Sequence, residues 1–181
     1  MNTQLDIVYR FKILVVGDSG VGKTSLIRKF SVDKFDNDYT KTDGTDFNIK
    51  SINTEHGKIS ITIWDFSGEN KFEKTRKYYY YGAHAAFIVF DVTNIESFNN
   101  IEKWYNEILY ETGSIPVIIL ANKSDKTNIN KINIKRYKEF SNKHNIELFF
   151  ISAKNGINLQ IAFLKLINNC LKNNIDKYNQ E

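Results

Sequence analysis

The sequence predicts an α/β fold: a mostly parallel six-stranded sheet with one antiparallel edge strand and helices on both faces. Three observations predict it. Short apolar runs alternate with amphipathic segments along most of the 181 residues, the pattern left when crossover helices cover a parallel sheet. Two β-rich runs, 45–53 and 58–64, flank Thr54-Glu55-His56-Gly57, which reads as a hairpin turn and supplies the antiparallel strand. Between a buried strand and a helix lies Gly17-Asp18-Ser19-Gly20-Val21-Gly22-Lys23-Thr24, which fits the phosphate-loop spacing G-x-x-x-x-G-K-[ST].

Composition bounds the rest. A chain of 181 residues suits one domain and can bury roughly 70% of its unfolded surface. With 41% hydrophobic and 14% aromatic residues it has the material for a packed core, which excludes a disordered chain. The single cysteine, Cys170, excludes an internal disulfide and points to a reducing compartment. Lys and Arg number 25 against 21 Asp and Glu, a net charge of +4. No basic block or basic-aromatic interleaving accompanies that excess, so nucleic acid is not an expected partner. The charge reads as a solvated surface, with attraction to an acidic partner or membrane second. No run of about 18 apolar residues occurs and residues 1–10 carry no apolar signal core, so a soluble, cytoplasmic protein is expected.

In chain order, residues 1–10 read as a flexible lead, 11–172 as the domain and 173–181 as a tail. Strand 11–16 precedes the phosphate loop and helix 24–30 follows it. The polar, aperiodic stretch 31–44 reads as a long functional loop. The hairpin comes next, its second strand ending at Asp65-Phe66-Ser67-Gly68, where a carboxylate can reach a bound metal. Strand 86–92 leads to helix 97–112, with Phe98, Ile101, Trp104, Tyr105, Ile108 and Leu109 at helical spacing. Strand 117–121, the loop Asn122-Lys123-Ser124-Asp125, helix 134–144, strand 148–151 and a closing helix 159–171 complete the pattern. Ligands in such sheets bind at the carboxyl ends of the strands, so these loops carry the chemistry.

The phosphate loop has a physical rationale. Glycines let successive amides converge on one point, where the positive end of the following helix also lies. Lys23 adds a full charge for the β and γ phosphates, and the Thr24 hydroxyl is suited to ligate magnesium.

Taken together, the loops carry a resemblance. Asp65-x-x-Gly68, Asn122-Lys123-x-Asp125 and Ser152-Ala153-Lys154, with the phosphate loop and in this order, resemble the motifs of Ras-superfamily GTPases, a branch of the P-loop NTPases. The resemblance runs from about residue 11 to 171. Within the superfamily the chain resembles Rab proteins, through Gly44-Thr45-Asp46-Phe47, Ile61-Thr62-Ile63-Trp64, Lys71-Phe72, Tyr79-Tyr80-Tyr81-Gly82-Ala83-His84 and Phe90-Asp91-Val92-Thr93. Asn2 and the lack of an extra helix between Asp125 and Ser152 disfavour the Arf and Rho branches.

That resemblance implies a monomeric switch that binds GTP or GDP with Mg2+, hydrolyses GTP and regulates vesicle traffic, in the cytoplasm or on the cytosolic face of internal membranes. The implied nucleotide site comprises Asp18, Ser19, Gly20, Val21, Gly22, Lys23, Thr24, Ser25, Phe35, Tyr39, Thr42, Gly68, Asn122, Lys123, Asp125, Ser152, Ala153 and Lys154. Asp125 would accept from guanine's ring N–H and exocyclic amine, and the Lys123 stem and the Phe35 ring would sandwich the base. The Ala153 amide would donate to the guanine carbonyl. Thr24, Thr42 and Asp65 are the implied metal ligands; Glu69, Lys23, Thr42 and Gly68 are the implied catalytic set. Loss of the γ phosphate would release both switch loops. Phe47, Trp64 and Tyr79 match the triad on which Rab effectors dock, although aromatics on a sheet beside a helix pack in cores by default. In the run 78–81 at least one ring is expected to be exposed. An exchange factor and an activating protein are implied partners.

Departures matter. Glu69 replaces the glutamine that orients the attacking water. A carboxylate accepts from water but cannot donate to the γ phosphate, and loss of one such donor typically costs on the order of a hundredfold. Slow hydrolysis that depends on an activating protein is therefore expected, and the alternative is a non-catalytic, GTP-locked scaffold or decoy. A P-loop kinase would need a lid and an acceptor site, and the base motifs argue against it. Phe66-Ser67 replaces Thr-Ala and Asp43 an apolar residue, which bears on effector choice. Rab proteins end in prenylated cysteines, whereas residues 176–181 contain none; Cys170 falls on the apolar side of the closing helix, near Phe163, Ile167 and Leu171. Membrane association is expected only where a prenylated tail is missing from this sequence, or through partners.

Overall fold

The computed structural model describes residues 7–32, 42, 44–54, 57–126 and 134–178. Strands β1 (Ile7–Val16), β2 (Thr45–Thr54), β3 (Gly57–Phe66), β4 (Ala85–Asp91), β5 (Val117–Asn122) and β6 (Glu147–Phe150) form one sheet in the order β2-β3-β1-β4-β5-β6. Only the β2–β3 pair is antiparallel, with Phe47 opposite Trp64; the other four pairings run parallel. The helices are α1 (Lys23–Val32), α2 (Glu73–Tyr78), α3 (Ile95–Asn99), α4 (Ile101–Thr112), α5 (Ile134–His144) and α6 (Leu159–Tyr178).

The central strands alternate between two cores, because successive side chains point to opposite faces. Ile13 and Val15 of β1, with Phe87 and Val89 of β4, face α1 and α6 and pack with Leu26, Ile27, Phe30, Phe163 and Ile167. Leu14, Val16, Ile88 and Phe90 face the other way, against Phe98, Ile101, Trp104, Ile108 and Tyr137 of α3, α4 and α5. Every residue of β4 is buried, which is why that strand reads as one continuous apolar run. Edge strand β2 has one neighbour, and its residues are exposed or half-buried throughout.

Four elements depart from the sequence reading. β1 begins at Ile7 rather than 11, because residues 7–10 already pair with β3; that stretch of the expected flexible lead is strand. Helix 97–112 is two helices, broken where Asn100 takes φ −83° and ψ −4°. Leu109, placed on its apolar stripe, is exposed. The closing helix runs on to Tyr178. The sequence reading held no helix between Gly68 and β4, yet a short 3-10 turn (Asn70–Phe72) and α2 lie there. Their only buried residue is Arg76, so there was no apolar stripe to read. Among the described residues, no helix is long and apolar enough to cross a membrane.

Candidate functional site

The site forms where β1, β3, β4 and β5 end. β1 delivers the chain to Gly17, and the loop curls through Gly20 and Gly22, both at positive φ, before α1 begins at Lys23. At Gly22 (φ +98°) a Cβ would come within 2.5 Å of Asn122 Nδ2, so glycine is needed for both the turn and the close approach. Lys23 is buried and folds back over the loop, where Nζ donates to the carbonyls of Gly17 (2.8 Å) and Asp18 (2.7 Å). Burial pulls its ammonium down to about 8, against the raising pull of Asp65 and Asp18.

Three of the predicted residues meet beside it. The Thr24 hydroxyl donates to Asp65 Oδ2 at 2.5 Å and lies 2.7 Å from the Thr42 hydroxyl, which is 3.4 Å from the same carboxylate oxygen. Asp65 is buried at the end of β3, and its Oδ1 has no hydrogen-bond partner among the described residues. Burial raises the pKa of that carboxyl, opposed by the Thr24 hydrogen bond and the Lys23 charge. Two hydroxyls and a carboxylate with a spare buried oxygen are hard donors that fit a small cation such as magnesium.

On the opposite side a cavity of about 90 Å3 is lined by Gly22, Ser25, Asn122, Lys123, Asp125, Lys126, Ala153 and Lys154. Asn122 is its internal brace: Nδ2 donates to the Val21 carbonyl (2.8 Å) and Oδ1 accepts from the Ala153 amide (3.0 Å). The Ala153 amide, expected to donate to a base, is therefore already engaged. Ser152 donates to Asp125 Oδ1 at 2.6 Å and accepts from the Asn155 amide, which aims the carboxylate. Lys123, at φ +64°, donates through Nζ to the Gly20 carbonyl (2.7 Å) and pairs with Asp91 Oδ2 (2.7 Å), which leaves its stem along one wall. Burial opposes the Asp91 charge, but bonds from Lys123 and Thr93 outweigh it and hold that carboxyl below its ordinary value.

A second opening, of about 380 Å3, lies between the phosphate loop and the segment after β3, lined by Asp18, Ser19, Gly68, Glu69, Asn70, Asn100 and Lys103. Gly68 packs directly on the phosphate loop. Glu69 Oε2 pairs with Lys71 Nζ at 3.2 Å. Phe35 and Tyr39 lie outside the described residues.

Several residues that the sequence reading did not assign to the site hold it together. Asp18 accepts from Trp104 Nε1 (2.8 Å) and Asn100 Nδ2 (2.7 Å), which ties the phosphate loop to α4. Arg76 and Glu107 form a buried forked ion pair. The readable signal was Glu107 itself, a carboxylate beside the apolar stripe of Ile101, Trp104 and Ile108.

Two rings of the aromatic triad, Phe47 and Tyr79, are exposed, and Trp64 between them is half-buried against the core. Phe47 lies 5.6 Å from Trp64, and Trp64 5.4 Å from Tyr79, ring centre to ring centre. Phe47 is 54% and Tyr79 41% exposed, and Lys12 Nζ sits 4.6 Å over the Trp64 ring. In the tyrosine run only Tyr80 is buried.

The comparisons with known proteins agree with this geometry. The chain matches the Ras family over residues 12–172. It is 39% identical over 167 residues to "GTP-binding protein YPTM2" of Zea mays, a match covering 92% of this chain and 81% of that protein. Over 167 residues it is also 38% identical to "Ras-related protein RABD2a" and 36% to "Ras-related protein RABD2b" of Arabidopsis thaliana, covering 92% of this chain and 81% and 82% of those proteins. A six-stranded sheet with one antiparallel edge, a phosphate loop at the end of its first strand and relatives of this kind lead to one conclusion: the chain belongs to the Ras family, as a Rab-like small GTPase.

Proposed function

We propose that this GTPase is a slow, activator-dependent switch for membrane traffic, in which Glu69 sets the intrinsic rate. The observation that carries the reading is Glu69's position on the rim of the opening it shares with Asp18, Ser19 and Gly68, with a carboxylate where family members have an amide. Lys23, Gly20, Val21 and Gly22 bind the phosphates, and the Gly68 amide faces the terminal one. Asn122, Lys123, Asp125 and the Ser152-Ala153-Lys154 loop bind the base, with Asp125 selecting guanine through two accepted hydrogen bonds. Thr24, Thr42 and Asp65 hold magnesium, which when bound neutralises charge on the β and γ phosphates.

Glu69 accepts a hydrogen bond from the attacking water but has no N–H for the γ phosphate, and it adds negative charge beside an anionic transition state. The ion pair with Lys71 offsets part of that charge. Effectors dock on the triad Phe47, Trp64 and Tyr79 when both switch segments are ordered, and an activating protein supplies the missing amide in trans.

The test is single-turnover phosphate release from GTP-loaded protein, native against Glu69→Gln. A rate increase on the order of a hundredfold is expected, by the worth of one such donor. Equal rates would refute the role given to Glu69. GTP binding without hydrolysis in both proteins would favour a GTP-locked scaffold instead.

A further inference from the structure

Switch segment 68–80 is held against α4 by a buried polar cluster centred on Arg76. The Arg76 side chain is 1% exposed although α2 lies on the surface. Nε and Nη2 donate to Glu107 Oε1 and Oε2 at 2.7 and 2.8 Å, and the Tyr80 hydroxyl donates to Oε1 at 2.8 Å. The guanidinium carbon lies 4.4 Å from the centre of the Trp104 ring, whose Nε1 reaches Asp18 of the phosphate loop. The remaining arm is the informative one: Nη1 donates to the backbone carbonyl of Glu69 at 3.1 Å.

Stability alone is a poor reason for this arrangement. A buried ion pair gains little over apolar residues of similar volume, because desolvation cancels most of the attraction. A guanidinium offers something apolar residues cannot, a rigid fork that binds several acceptors at fixed angles. Two of its donors are spent on Glu107, which anchors it to α4. The third is spent on a carbonyl at the start of the switch segment, just where the reacting groups meet the γ phosphate.

We propose that Arg76, anchored by Glu107 and Tyr80 and stacked on Trp104, is a positioning residue that fixes the Glu69 peptide against the phosphate loop. α4 is the shared frame, since it holds Asp18 through Trp104 and Glu69 through Arg76. The catalytic consequence rests on the role given to Glu69 above.

The test uses Arg76→Lys, which keeps a cation against Glu107 but cannot reach three acceptors, in the native, Glu69→Gln and Glu69→Ala proteins. Hydrogen–deuterium exchange of protein loaded with a non-hydrolysable GTP analogue and magnesium reports the position directly. Uptake across 68–72 should rise at least fivefold in Arg76→Lys while β4 and β5 stay unchanged. In single-turnover phosphate release the substitution should cost about tenfold in the Glu69→Gln protein, since misplacing a reacting group by a fraction of an ångström has that order of effect. It should cost nothing further in Glu69→Ala. A merely stabilising pair would lower both backgrounds alike or neither, and that result overturns the proposal. Unchanged exchange across 68–72 overturns it whatever the kinetics. If Glu69→Gln fails to accelerate hydrolysis, the reading of Glu69 falls, and the exchange data alone decide for or against Arg76. Should Arg76→Lys not fold, the double variant Arg76→Met, Glu107→Met leaves no stranded charge and is judged by the same two readouts.

Discussion

Gly68→Ala is the substitution with the sharpest expected outcome. A Cβ on Gly68 would lie 2.3 Å from the Asp18 carbonyl carbon and the Ser19 nitrogen, and 2.5 Å from the Gly17 carbonyl oxygen. Ordinary contact begins at 3.4 Å, so the two backbones must part by about 1.1 Å (3.4 − 2.3). All three opposing atoms are main chain and cannot rotate aside. The phosphate loop is also the firmer partner, since Asp18 is held by Asn100 and Trp104 and the Val21 carbonyl by Asn122. The Gly68 side must therefore retreat, carrying Glu69 with it. A misplacement of about 1 Å costs on the order of a hundredfold in rate. Single-turnover phosphate release should fall by about that factor, on native and Glu69→Gln backgrounds alike. GDP affinity should change little, because the base cavity and Lys23 are untouched. A Gly68→Ala protein that hydrolyses GTP at the parent rate would refute the argument.

Two further outcomes follow from single buried groups. Asn122→Asp keeps the shape and the bond from the Ala153 amide, but sets an oxygen against the Val21 carbonyl in place of a donor. Mispairing of that kind costs about 1–3 kcal/mol, so GDP dissociation constants should rise by roughly 5- to 150-fold in equilibrium titrations, and unchanged affinity would sink the bracing role of Asn122. Cys170 is buried, and burial pushes its thiol up from 9.0 to about 12. The folded state therefore keeps a proton between pH 9 and 12 that the unfolded chain has released, so this group lowers stability as pH rises above 9. At pH 8 a disulfide reagent should label it only after denaturation; rapid labelling of native protein would contradict its burial.

Much of the architecture was legible because its signals are local. β4 is buried on both faces and reads as an unbroken apolar run, and the two β-rich runs 45–53 and 58–64 mark the one antiparallel pair. The phosphate loop announces itself because convergent amides, a lysine and a hydroxyl must follow one another at fixed spacing. Asn122, Asp125 and Ser152 were readable from the loops they occupy. What stayed hidden was distributed. α2 has no apolar stripe, and its one buried side chain, Arg76, is an ordinary surface type whose partner is 31 residues away. The engagement of the Ala153 amide by Asn122 likewise joins two loops from different strands.

The sequence by itself determined the succession of the six strands, the phosphate loop and the loops that line the site, since each follows from hydrophobic period or from chemistry within a few consecutive residues. Only the tertiary structure decided that Trp104 and Asn100 hold Asp18, that Arg76 reaches the Glu69 carbonyl, and that Trp64 lies between the exposed rings of Phe47 and Tyr79 while Tyr80 is buried. Those contacts join side chains brought together by sheet register and helix packing. A hydrogen-bond partner on another element leaves no trace in local periodicity.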